Sequence, residues 1–334
     1  MRYGGLYMKR KGTSVFLIAM MLFGMVMSAF AQAKPIELKI GHFAPPNTPY
    51  DDWAKEFKKE VEAASNGKYK ITIYPSGLLG QSAALLEGLQ AGIIQFAIVT
   101  TSDMTQFVPE FEVVDLPYVF RDWPHALKYL DSDAAKKLFA LSDKVGIKSL
   151  SSMPRGFRHV TSNKGPIRTP ADLKGLKIRV AESAVYVDTF KALGANAQAM
   201  PWSEVYTALQ QGTVDAHENN IVTVQVYHFE EVQKYMSETG HFFAFGTLAA
   251  SLDWFKSLPR ADQDMFQKAA TDSAKLLGIE QRNQEAAAKA DLISKGMIFN
   301  AVDTKPFEAL MTPVYDKYFK THNRVYFDEL KAVK

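Results

Sequence analysis

The chain has 334 residues, a formal net charge of +3, 47% hydrophobic and 22% charged residues, and no cysteine. That balance is ordinary for a globular protein, and the length exceeds what a single core usually organises, so two lobes are expected. The lack of cysteine excludes disulfides, thiol catalysis and cysteine-ligated metals.

Arg2, Lys9, Arg10 and Lys11 precede an almost wholly apolar stretch from Val15 to Phe30, followed by the small-residue triplets Ala29-Phe30-Ala31 and Ala31-Gln32-Ala33. This order predicts a secretory signal over residues 1–33, removed to leave a mature chain starting at Gln32 or Lys34, with Met8 as a second potential start. The apolar run falls short of the roughly 18 to 20 residues that a membrane span needs. Its removal takes away four basic and no acidic residues, so the formal charge falls from +3 to −1. No basic footprint for nucleic acid remains.

Beyond the signal, Ile36 to Ile40 reads as a short strand, followed by a loop and a helix with Thr48 at its N-cap and Pro49 at its first position. Trp53, Phe57 and Val61 recur every four residues along that helix. Tyr69 to Tyr74 alternates as a strand, Ser82 to Ala91 reads as a helix, and Ile93 to Val99 is a continuous apolar run of the kind a buried parallel strand shows. Together they form a βαβαβ unit.

The order returns in the second half. Thr169-Pro170-Ala171-Asp172 is a capping sequence for a short helix that Gly175 ends before the strand Leu176 to Val180. A helix follows through Tyr186 to Leu193, Ser203 caps Glu204 to Gln211, and Thr213 to His217 reads as the next strand. Leu38-Lys39-Ile40 is echoed by Leu176-Lys177-Ile178, and Leu89-Gln90-Ala91-Gly92 by Leu209-Gln210-Gln211-Gly212, as two similar lobes would show. Phe242 to Ala250 is an apolar run placed to cross back between lobes. From Pro259 to about Lys295 a helical pattern runs without further proline, interrupted only by Gly278, where a break into two helices is the alternative.

Four segments in this order resemble the solute-binding proteins of tripartite ATP-independent periplasmic (TRAP) transporters, the DctP-type family: Gly156 to Arg158, Pro170 to Val180, Trp202 to Asp215, and Glu218-Asn219. The resemblance spans nearly the whole mature chain. It implies an α/β, two-lobe periplasmic binding protein fold, class II-like, with a long lobe-spanning helix. Lobe I is expected over 34–155 plus about 245–280, and lobe II over 156–244 plus about 281–334. The family commonly has D-G-x-E-N where this chain has Asp215 to Asn219; Asp215 and Asn219 fit, whereas Ala216 and His217 depart from it.

Arginine is suited to a carboxylate because its planar guanidinium stays charged and matches the anion with two parallel hydrogen bonds. Arg158 and Arg179 are the candidates, and Arg179 stands near the C-terminal end of its strand, where open α/β sheets place ligands. The resemblance implies that Arg179 is the carboxylate anchor and that Trp202 turns toward the ligand. Asn219 and Asn220 follow a strand and offer amides. His42, Asn47, Gln81, Thr100 and Asp103, from first-lobe strand ends and loops, are further rim candidates.

Enzyme readings find little support. His217-Glu218 begins like H-E-x-x-H but lacks the second histidine, and the remaining histidines show no metal-ligand spacing. The expectation is a monomeric periplasmic receptor without cofactor or metal that captures an organic acid and delivers it to the small and large membrane permease subunits of a TRAP transporter, uptake being driven, as the resemblance implies, by an ion gradient. Two arginines and no evident buried acid at Thr100 favour an anion without an amine, although Asp103 or Glu218 turned inward would accept one; a sugar acid such as a uronate or aldonate is the first choice, and a keto acid, C4-dicarboxylate or aromatic acid is the alternative ligand. A sensor-coupled binding protein and a secreted hydrolase are the alternative classes.

Overall fold

The computed structural model describes residues 1–4 and 34–334, so the apolar segment and cleavage triplets of the expected signal lie outside the described residues. The first half is built from β1 (Ile36–His42), α1 (Pro49–Ala64), β2 (Tyr69–Tyr74), α2 (Ser82–Gln90), β3 (Phe96–Thr100) and the single turn α3 (Thr101–Met104). After a 3₁₀ segment over Pro109–Asp115 come α4 (Trp123–Asp131), α5 (Asp133–Phe139) and the 16-residue strand β4 (Ile147–Ser162). The second half holds β5 (Lys177–Val180), α6 (Ala184–Ala192), β6 (Asn196–Ala199), α7 (Trp202–Gln210), β7 (Ala216–Asn219) and α8 (Ile221–Val226). The chain returns along β8 (Tyr235–Ser251), passes α9 (Leu252–Ser257) and the 35-residue α10 (Arg260–Ser294), and ends with β9 (Ile298–Ala301), α11 (Lys305–Glu308), α12 (Thr312–Thr321) and α13 (Val325–Ala332).

All nine strands of the described residues join one mixed sheet in the order β2-β1-β3-β8-β4-β7-β5-β6, with β9 on β8. The pairs β1–β3, β5–β6 and β5–β7 are parallel, as βαβ units require. The two long strands β4 and β8 run antiparallel through the middle. One end of β8 pairs with β3 of the first half, and one end of β4 pairs with β7 of the second. This two-stranded ribbon therefore carries the chain between two lobes.

α10 joins the lobes a second time. At 1.5 Å per residue it is about 52 Å long. Phe266, Ala270 and Ala274 pack into the first-half core with Trp53, Phe57 and Phe96, whereas Ala288 and Leu292 enter the second-half core with Val205, Leu209 and Phe229. The helix is continuous through Gly278, and the glycine has a packing reason: a Cβ there would lie 2.7 Å from the Pro154 ring on β4.

Several expected boundaries move. The helix expected from Glu204, with Ser203 as its cap, begins two residues earlier, at Trp202, with Pro201 at the cap, so Ser203 lies inside the first turn and caps nothing. The strand expected from Thr213 begins at Ala216, because residues 211–215 form the turn after α7. Thr169 and Asp172 do form a reciprocal capping box, over a single 3₁₀ turn rather than an α-helix. Thr48 occupies its cap position but donates its hydroxyl to the Pro45 carbonyl instead of capping.

Candidate functional site

A cavity of about 270 Å³ opens between the two halves of the sheet, with walls from both. That volume is at the lower limit of the roughly 300–1,000 Å³ typical of small-molecule sites, so it suits a compact ligand. Three guanidiniums line it: Arg155, Arg158 and Arg179. All three are buried, and their partners set them apart.

Arg158 is already neutralised. Its Nε and Nη2 donate to the two carboxylate oxygens of Glu218 at 2.5 and 2.8 Å, and Nη2 also reaches the Glu218 carbonyl at 2.8 Å. Antiparallel pairing of β4 with β7, which sets Val160 opposite Glu218, creates this contact between residues 60 apart. His241 Nε2 lies 3.2 Å from the same carboxylate. Burial alone would raise the Glu218 pKa, but the Arg158 charge and hydrogen bond, with help from His241, hold it down at about 2. The pair is a closed fork, a fate of Arg158 that its G-x-R context does not reveal.

Arg179 is different. β5 places it opposite Gln198 on β6 and His217 on β7. Its Nε and Nη2 both donate to the Met200 carbonyl, at 3.0 and 2.6 Å, and it makes no ion pair among the described residues. Nη1 has no hydrogen-bond partner among the described residues. Burial lowers its pKa to about 10, so it remains charged at neutral pH. The guanidinium lies 5.6 Å from the Trp202 ring, which is itself held edge-on against Tyr227 and Phe229. His217 is fully buried and off the cavity wall; burial, then the Arg179 charge, depress its pKa to about 3 and keep it neutral.

Arg155 is absent from the sequence candidates. In a regular strand residues 155 and 158 point to opposite faces, but the β4–β8 register shifts between Pro154 and Gly156, where Gly156 has a φ of +95°. The shift turns both arginines toward the cavity. Arg155 Nη2 donates to Thr223 Oγ1 at 2.7 Å, its guanidinium lies 4.2 Å from the centre of the Tyr50 ring, and its Nε has no partner. The Pro-Arg-Gly step inside an otherwise extended segment is the one sequence signal that marks it.

The asparagines divide the work. Asn220 Oδ1 accepts from Thr223 N at 2.8 Å, capping α8. Asn219 Oδ1 accepts the Asn220 backbone N–H at 3.0 Å, which orients the amide and leaves Asn219 Nδ2 as a donor on the cavity wall. From the first half, Gln81 and Thr100 line the cavity. Asp103 lines it too, but its Oδ2 accepts from Thr100 N and Ser82 Oγ at 3.0 and 2.8 Å in a capping box on α3.

His42 and Asn47 lie off the cavity wall. His42 is fully buried 3.4 Å from Asp51, and Asn47, in a left-handed turn with φ of 61°, accepts from Lys55 while its backbone N–H donates to Asp51. Both organise the loop into α1. The wall also contains Asp115 and Tyr186, which the sequence reading did not single out. Among the described residues no group of acidic or histidine side chains is placed to hold a metal ion.

Comparison with known proteins agrees with this architecture. The family model DctP, described as bacterial extracellular solute-binding protein, family 7, matches residues 40–322. A 2,3-diketo-L-gulonate-binding periplasmic protein of Escherichia coli is 34% identical, over 80% of this chain and 82% of its own. A TRAP periplasmic solute-binding protein from Polaromonas sp. JS666, bound to D-erythronate, superposes with a TM-score of 0.86 at 33% identity, covering 89% of this chain and 99% of that one. One from Bordetella, with density assigned as pantoate, gives 0.86 at 36% identity with the same coverage.

Proposed function

The chain belongs to the DctP family of bacterial extracellular solute-binding proteins, receptors rather than enzymes, and from that premise we propose that its cleft captures a hydroxylated monocarboxylate, a sugar acid before any other organic acid. The observation that carries the reading is Arg179: a buried, charged guanidinium on the cavity wall with no carboxylate partner and one nitrogen unspent. A desolvated cation of this kind is completed by a ligand carboxylate. Arg155 supplies a second uncompensated charge, whereas Arg158 is cancelled by Glu218 and Asp103 sets one negative charge against the two. Glu182, exposed at the rim of the same cavity, adds another acid, so the wall has no cationic surplus for a second carboxylate.

Asn219, Gln81, Thr100 and Thr223 offer amides and hydroxyls of the kind that polyols match, and Trp202 offers an apolar face beside the anion. Ligands named for the relatives, D-erythronate, pantoate and 2,3-diketo-L-gulonate, are oxygenated carboxylates and support the class. Because the wall draws on both halves, a bound acid favours their approach, with lobe I over 34–155 plus about 245–280 and lobe II over 156–244 plus about 281–334 closing about the β4–β8 ribbon. The closed form, a monomer, then presents its surface to the small and large permease subunits. We place the mature protein in the periplasm; an intact mass that retains residues 1–33 would contradict this.

The test is a thermal-shift screen of the mature protein followed by calorimetry and small-angle scattering. A ligand at 100 times its Kd stabilises by about 2.7 kcal/mol, so binders stand out. D-erythronate, galactonate or uronates are expected to stabilise and to contract the particle. Stabilisation by C4-dicarboxylates, amino acids or aromatic acids alone would overturn the ligand class and leave the receptor class standing.

A further inference from the structure

One buried acid on the cavity wall stands apart from the arginines and amides. Asp115 ends the 3₁₀ segment Pro109–Asp115, is 1% exposed, and lines the cavity beside Arg158 and Tyr186. Its carboxyl makes no hydrogen bond and no ion pair with any described residue, and its Oδ2 is sealed from solvent without a partner. The neighbouring Arg158 is no counter-ion for it, since Glu218 already holds both ends of that guanidinium's fork. A buried polar group left unmatched costs stability, so a protein that keeps one on the wall of a binding cavity gains from it when the cavity is filled.

We propose that Asp115 is a specificity residue that reads a hydroxyl group of the ligand, an inference that rests on the hydroxy-acid reading of the same cleft. Asp115 and a ligand hydroxyl match in donors and acceptors. A neutral carboxyl presents one O–H donor together with acceptor oxygens, and a hydroxyl presents the same pair. The two exchange hydrogen bonds in both directions. A second ligand carboxylate offers acceptors only, and would set its charge against the Asp115 carbonyl oxygen. An ammonium offers donors only, and would be matched only by an ionised Asp115.

The neutral form is the one that the surroundings favour. Burial pushes the Asp115 carboxyl well above the usual carboxylate range, and the acidic neighbours Glu112, Asp103 and Glu218 add to the rise, while Arg158 opposes it. Tyr186, packed against the same wall with Arg158 5.4 Å from its ring, is also held protonated by burial. Two neutral O–H groups thus stand on the wall opposite in character to the cationic Arg155 and Arg179. The cavity has a charged set of groups for the carboxylate and a neutral, hydrogen-bonding set for the rest of the ligand.

The experiment is calorimetry on wild type, Asp115→Asn and Asp115→Leu with D-erythronate and its three monodeoxy analogues, 2,3-, 2,4- and 3,4-dihydroxybutanoate, or with D-galacturonate and its monodeoxy forms if that acid binds more tightly. Wild type is expected to bind one deoxy analogue at least tenfold more weakly than the parent. That gap should close to within twofold in Asp115→Leu and persist in Asp115→Asn, which keeps a donor and an acceptor. Parallel losses across the whole series in Asp115→Leu would assign the residue a structural role and overturn the proposal, as would an unchanged gap. A loss in Asp115→Asn as large as in Asp115→Leu would make it an ionised counter-ion, which also overturns it. If neither parent acid binds wild type at all, the hydroxy-acid reading of the cleft fails first and this inference falls with it.

Discussion

Arg158 and Arg179 carry the same side chain, stand on the same sheet and border the same cavity, yet one is closed and the other open. At the β4–β7 end, Arg158 meets the Glu218 carboxylate through a doubled hydrogen bond and has no charge left to offer. On β5, Arg179 has only the Met200 carbonyl. Burial is similar at both, so burial does not distinguish a neutralised arginine from one whose charge is unpaired. The partner does, and the partner comes from strand register rather than from local sequence.

The largest effect expected from this contrast is on the fold. Glu218→Ala leaves Arg158 buried and uncompensated, and breaking such a pair costs about 3 to 5 kcal/mol. Urea denaturation should show the midpoint falling accordingly; a midpoint within experimental scatter of wild type would mean that Arg158 finds another partner and that the closed-fork description is wrong. Arg179→Lys should do the reverse. It keeps the charge and loses the planar fork, so sugar-acid affinity should fall by about 2 to 5 kcal/mol while the melting temperature holds. Near-normal affinity in a well-folded protein would move the anchor elsewhere.

Arg155→Met is expected to have a smaller effect than either. Removing one charge-assisted hydrogen bond costs about 1.5 to 3 kcal/mol, here in ligand affinity measured by calorimetry. No change would show that Arg155 only braces Tyr50 and Thr223. A further effect is on pH dependence. His159 and His217 are held near 3 by burial, below the ordinary 6.5, so both are neutral in the fold. Their contribution is complete above about pH 6.5 and is lost as pH falls from there toward 3, because the unfolded chain binds protons that the folded one refuses. Glu218, at about 2 against an ordinary 4.5, adds a second loss below pH 4.5. Urea midpoints should therefore decline steadily from pH 7 to pH 4, less steeply in His217→Asn; a flat profile would contradict the buried neutral histidines.

Much of the fold was legible because its signals are local. Four-residue spacing of Trp53, Phe57 and Val61 marks α1, the alternation from Tyr69 marks β2, and the proline-free stretch after Pro259 marks α10. The lobe-crossing run at Phe242 to Ala250 was visible as well, although β8 extends further at its N-terminal end. β4 was harder, since Pro154 and Gly156 interrupt its alternation, and the same interruption hid Arg155. At the site, Arg179, Trp202, Asn219, Gln81 and Thr100, read from separate segments, line one cavity. His42 and Asn47 were read from strand-end position alone and serve the loop instead. Asp115 sits in a short irregular turn with no periodicity to mark its direction, so only the packed structure reveals a buried acid without a partner.

The most direct test of the open and closed arginines is a crystal structure of the mature protein with the tightest sugar acid from the screen. A ligand carboxylate oxygen is expected about 2.7 to 2.9 Å from Arg179 Nη1, with the Arg158–Glu218 fork undisturbed. A complex in which Glu218 has swung away and the carboxylate lies on Arg158, with Arg179 still bound only to Met200, would contradict it.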